Sequence, residues 1–133
     1  MLALETIRGH RVGATPAAID ALISGVPSGS VALRFAPDEL FVVPGPDGDA
    51  GLELDVDDDH AIVVEEAGFV GCWLDAARLA AVARHIEWPL PTSRPSFAQG
   101  YVAGVPAKLW LDADRSLLLC AAPYASELSE RVQ

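Results

Sequence analysis

Apolar and polar positions along this chain change their period several times, and each change marks a short element. Residues 2–12 alternate loosely between the two classes, which predicts a first strand. Thr15-Pro16 then predicts a helix start, with Thr15 as N-cap and Pro16 at the first helical position. Ile19, Leu22 and Ile23 supply that helix with an apolar face, and Gly25 closes it. V-A-L-R-F at 31–35 and E-L-F-V-V at 39–43 read as two strands that turn at Pro37-Asp38. The Pro- and Gly-rich stretch 44–51 reads as a loop.

Beyond the loop the pattern recurs. Residues 60–74 predict one long strand or a bent pair, with Gly68 and Gly71 suited to a bulge or bend. Asp75 is placed to cap a helix over 76–86, whose inner stripe is Leu79, Val82, Ala83 and Ile86. Residues 97–103 and 105–111 read as strands turning at Gly104, and 112–115 as a polar turn. The all-apolar run 117–122 predicts a central strand. Pro123 opens a last helix with Tyr124, Leu128 and Val132 inward. Leu79 and Leu118 are expected in the core. Two successive β-α-β-β blocks predict a single α+β domain over residues 1–133. The expected fold is ferredoxin-like: one antiparallel sheet with helices on one face.

Charge and composition narrow the possible partners. About half of the 133 residues are hydrophobic, enough for a chain of this size to bury a core. No apolar run approaches the roughly 20 residues of a membrane span. The N-terminus lacks the basic-then-apolar pattern of a signal peptide, so the cytoplasm is the expected compartment. The formal net charge is −10, and residues 35–77 contain no Lys or Arg. Such a surface repels the phosphates of nucleic acid and anionic membranes, and it suits a basic protein partner. Cys72 and Cys120 lie outside any C-x-x-C pair and are flanked by strand-like residues. They read as two buried thiols in a reducing compartment.

Asp55, Asp57, Asp58 and Asp59 with His60 invite a hard cation. The sixth position lacks the glycine of an EF-hand loop, and the stretch reads as a solvated acidic segment. His10, His60 and His85 fall in no metal-binding spacing. His85 is instead placed in the last turn of a helix, where the helix dipole favours a cation. The chain contains no G-x-S-x-G, G-x-G-x-x-G or phosphate-loop motif. No catalytic residue, metal ligand or cofactor is therefore expected. The tryptophans Trp73, Trp88 and Trp110 could line a pocket for a flat ligand. Trp73 and Trp110, with Arg94 as a cation, are the ligand-binding candidates.

Four stretches carry a family resemblance. Residues 35–43, F-A-P-D-E-L-F-V-V, resemble the G-P-D-E-W-L-L strand turn of the gamma subunit of heterotetrameric sarcosine oxidase. That family also takes in the aminomethyltransferase (glycine-cleavage T-protein) and YgfZ-like folate-binding domains. Residues 60–64 and 71–86 look like its pair of strands followed by a helix. Phe97-Ala98-Gln99-Gly100 with residues 105–111 is similar to its A-Q-T-R-(L)-G-x-x-A-x-L hairpin. Residues 117–131 are similar to its final strand and helix, F-x-L-x-V-x-x-S-(F/Y)-A-x-x-L. The resemblance runs in order from about Val31 onward and implies a ferredoxin-like fold. It also implies a non-catalytic subunit packed against larger flavin-bearing chains. The chain departs from the family at Gly68-Phe69-Val70-Gly71, where an R-x-x-L-R-L-S-G run is usual, and it is shorter than a typical gamma subunit. The barrel and acidic folate-binding residues of the aminomethyltransferases have no counterpart, so folate chemistry is not carried over.

Three functions follow as expectations. The first is an accessory or assembly subunit that binds a larger protein and performs no chemistry. The second is a small-ligand-binding α+β domain, self-associating as a homodimer. The third is a small enzyme, for which no acid and base pair presents itself.

Overall fold

The computed structural model describes residues 2–45 and 54–132. Most of the loop expected at 44–51 lies outside them. The chain divides into two compact units, one of residues 8–67 and one of residues 1–7 with 68–133.

In the unit of residues 8–67, local chemistry behaves as the sequence suggests. Strand β1 (Glu5–Gly13), which starts in the other unit, leads into helix α1 (Pro16–Ser24). The Thr15 hydroxyl accepts from the Ala18 amide at 3.2 Å, satisfying a donor that the helix leaves unpaired. Ile19 and Leu22 are buried on this helix, whereas Ile23 is exposed. Strands β2 (Val31–Ala36) and β3 (Glu39–Val43) pair antiparallel, with an irregularity between Arg34 and Ala36. On its other side β3 pairs antiparallel with β1, His10 opposite Val42 and Gly13 opposite Glu39. Strands β1 and β2 are thus parallel and flank β3, joined across it by α1. Val12, Ile19, Leu22, Leu40 and Val42 form the core beneath.

The second half of strand β4 (Ile62–Leu74) opens the ladder of the other unit. Asp75 caps helix α2 (Ala76–Ala83), its carboxylate accepting from the Arg78 amide at 2.8 Å. The helix is shorter than the expected 76–86. The amides of His85 and Ile86 instead bond back to the Val82 and Ala83 carbonyls, so His85 lies just past its end. Strands β5 (Ser96–Val102), β6 (Val105–Leu111) and β7 (Ser116–Ala121) then form a meander. A short 3-10 turn at Ala122–Tyr124 and helix α3 (Ala125–Arg131) finish the chain. Leu128 and Val132 are buried there as expected, and Tyr124 is exposed.

The ferredoxin-like expectation is overturned. Among the described residues the protein is mostly β, with three short α-helices, and its strands run in the order β2-β3-β1-β4-β7-β6-β5. A ferredoxin-like second block would set β6 between β4 and β5. Strand β7 takes the place beside β4 instead, and α2 carries the chain to β5 at the far edge. Two physical causes are visible. Short turns after β5 and β6 commit those strands to their sequence neighbours, leaving β7 to pair with β4. Gly71 then lets the β4 backbone come close to β7: a Cβ there would stand 2.1 Å from the Leu118 carbonyl oxygen. The glycine expected to bend the strand serves a close backbone approach.

Strand β7 is buried from Ser116 to Cys120, as its unbroken apolar run predicts for a central strand. On one face of its sheet Leu118 and Cys120 join Leu109, Leu111, Val82 and Leu128 in the core. Leu79 is only partly buried, and Val82 is the enclosed residue of α2. Cys72 and Cys120 are free, buried thiols, and burial pushes the pKa of each up.

Candidate functional site: an aromatic sheet face

The strand registers align one row of side chains across the four-stranded ladder. Phe97 on β5 lies opposite Trp110 on β6, Trp110 opposite Leu117 on β7, and Leu117 opposite Trp73 on β4. Side chains alternate along a strand, so this row belongs to the face opposite Leu118 and Leu109. Leu117 is fully enclosed, while Phe97, Trp110 and Trp73 are half-buried. The two indoles meet edge to face, with centroids 6.2 Å apart and planes at 84°. That geometry sets the positive rim of one ring against the negative face of the other.

Arg115 completes the cluster. Its guanidinium carbon lies 4.6 Å from the Trp73 centroid and 5.9 Å from that of Trp110. In the sequence this residue reads only as part of the polar turn 112–115. A signal was present: Arg115 precedes Leu117 by two residues in a hairpin, so alternation puts it diagonally beside Trp110 on the same face.

The structure therefore brings Trp73 and Trp110 together, and the cation it stacks on them is Arg115. Arg94 donates to the carbonyls of Pro91 at 2.7 Å and Ser93 at 2.9 Å. It lines a hollow of about 370 Å³ with Leu79, Asp75 and Arg115, and neither tryptophan takes part in that lining. Trp88 is separate again. It packs against Gly100 and joins the core.

Two residues along the strands from the aromatic row, the same unit carries a hollow of about 420 Å³. Phe69, Tyr101, Pro106 and Tyr124 line it, with Gln99 and Lys108 as its polar members. The Lys108 ammonium donates to the Gln99 side-chain amide oxygen Oε1 at 2.5 Å, directly across the β5–β6 pair.

In the other unit, Asp58 is the hydrogen-bonded member of the acidic segment. Its carboxylate accepts from the Thr15 amide at 3.0 Å and the His60 amide at 2.9 Å. The His60 contact first, then that of Thr15, holds the Asp58 carboxyl below its usual pKa. Arg11 bridges Glu39 and Glu66. Partial burial opposes its charge, but the bonds from both carboxylates outweigh that and raise its pKa. Among the described residues no group of three or more His, Cys, Asp or Glu converges as a metal site. Among the same residues no helix is long and apolar enough to cross a membrane.

These features define a small antiparallel β chain that presents an aromatic and cationic sheet face. No protein-family profile matches the sequence, and no curated protein matches it closely enough in sequence to count as a relative. Its backbone is similar to a chain of the heterotetrameric sarcosine oxidase from Corynebacterium sp. U-96, solved in complex with pyrrole 2-carboxylate. The TM-score is 0.70 at 14% identity, over 97% of this chain and 79% of that chain.

Proposed function

We propose that this chain is a non-catalytic accessory subunit of the sarcosine oxidase gamma type, one domain that acts through contacts with a larger, flavin-bearing protein. One observation carries the reading: the backbone likeness to a chain of a heterotetrameric oxidase extends over nearly all of this chain and most of the other. The local chemistry agrees with it. Both thiols are held protonated by burial, and Arg11 is engaged by two carboxylates. The net charge of −10 favours a partner with a basic face, because complementary charge speeds encounter and sets orientation.

The test is purification of the tagged chain from its source organism at low and high salt. A stoichiometric partner with flavin absorbance is expected, released as salt screens exposed charges more than about 10 Å apart at 0.1 M. Recovery of a free monomer with a small molecule in the Tyr101–Tyr124 hollow would overturn the reading.

That hollow supports a second reading, a small-ligand-binding domain. Its volume of about 420 Å³ lies in the range of ligand pockets, and its lining is mainly apolar with Lys108 at one side. Native mass spectrometry of the freshly purified chain separates the two readings.

A further inference from the structure

The hollow beside Lys108 has a relief and a charge that together select a ligand. Across the face that bears it, the strands run β4, β7, β6, β5. Phe69 on β4 stands opposite Ala121 on β7, and Pro106 on β6 stands opposite Tyr101 on β5. Two short side chains therefore lie between two aromatic ones, and the face dips between the rings. Tyr124, just past the end of β7, adds a third ring to the lining. Phe69 is buried, whereas Tyr101 is 64% exposed and Tyr124 40%. Rings left in water around a hollow of about 420 Å³ are stabilised when an apolar body covers them.

Charge sets the other end of the ligand. Lys108 is the only lysine of the chain and, among the described residues that line the hollow, the one charged group. No carboxylate shares that lining, in a chain whose net charge is −10. Lys108 follows Pro106 by two residues on β6, so both point to the same face. A lysine on a strand usually extends its ammonium past its neighbours into bulk water. Here the side chain is half-buried and donates to the side-chain amide oxygen of Gln99. That neutral amide positions the ammonium and adds no negative charge. An ammonium is a compact charge with three donors, suited to a single carboxylate.

We propose that this hollow binds a small organic anion with a flat apolar body and one carboxylate. The carboxylate bonds to the Lys108 ammonium, and the body lies against Phe69, Tyr101, Pro106 and Tyr124. The charge-assisted bond fixes the orientation of the ligand, and the rings supply its contact area. The proposal rests on the ligand-binding reading of the hollow and adds the chemical class of the ligand. It makes no use of the accessory-subunit reading.

The probes are cinnamate and its neutral amide, cinnamamide, titrated into the full chain carrying isotope-labelled lysine. With a single lysine present, the side-chain Cε signal in the NMR spectrum belongs to Lys108. Cinnamate is expected to move that signal and to bind about tenfold or more tightly than cinnamamide. Lys108→Met, which keeps an apolar stem of similar length, is expected to lower cinnamate binding to the level of the amide in calorimetry. Tyr101→Ser, at an exposed site, is expected to weaken both compounds and keep their ratio. Circular dichroism verifies the fold of both variants, and the labelled wild-type signal needs no variant at all. Equal binding of the two compounds would overturn the proposal and leave the ligand-binding reading standing. Cinnamate binding that leaves the Lys108 signal in place, or that survives Lys108→Met unchanged, would put the anion elsewhere and overturn it too. No binding of either compound would also overturn it, and native mass spectrometry then decides the ligand-binding reading on its own.

Discussion

The indole of Trp88 fills the space that a side chain at residue 100 would need. A Cβ built on Gly100 would stand 2.5 Å from Trp88 Cε2 and 2.7 Å from Nε1. The ring has little room to yield, because Nε1 donates to the Tyr101 carbonyl at 2.9 Å. Gly100→Ala is therefore expected to cost about 1–3 kcal/mol through overpacking. Urea unfolding with tryptophan fluorescence measures this. An unchanged midpoint would mean that the indole swings aside freely.

Leu118 lies opposite Cys72 on one side and Leu109 on the other, fully enclosed. Leu118→Ala should cost about 2–5 kcal/mol, since the cavity cannot collapse between two paired strands. Leu79 is only partly buried on α2, and Leu79→Ala should cost less than about 2 kcal/mol. Equal losses at the two positions would contradict the burial seen here.

Asp58 links the N-cap residue of α1 to its own turn through two amide donors. Its pKa is depressed in the folded state, so its contribution is present above the unfolded carboxyl value. It is lost as pH falls through the folded value. Asp58→Ala should lower the melting temperature at neutral pH, with the gap to wild type closing below about pH 4. A gap that stays constant down to strong acid would show that the carboxylate charge is irrelevant.

The Arg115 guanidinium over Trp73 should contribute about 0.5–2 kcal/mol beyond simple burial. A double-mutant cycle of Arg115→Ala with Trp73→Leu isolates that coupling. Arg115→Lys should retain only part of it, because an ammonium keeps the charge and loses the planar stacking surface. Additive single effects would remove the pair from the description of this face.

Periodicity, caps and turn residues determined the elements of this protein from sequence alone. The strands Glu39–Val43 and Val105–Leu111 have the bounds their alternation predicts, and Thr15 and Asp75 cap their helices as their positions indicate. These features rest on neighbours a few residues away, and their physics is local. Which strand lies beside which was decided by tertiary structure. The same string of elements fits either β6 or β7 beside β4, and the choice of β7 rested on contacts more than forty residues apart. Only there does Gly71 meet the Leu118 carbonyl. The aromatic site divides in the same way. Trp73 and Trp110 were visible as bulky aromatics, but their edge-to-face contact exists because both stand opposite Leu117 on the central strand. The place of Arg115 over both indoles follows from that same register.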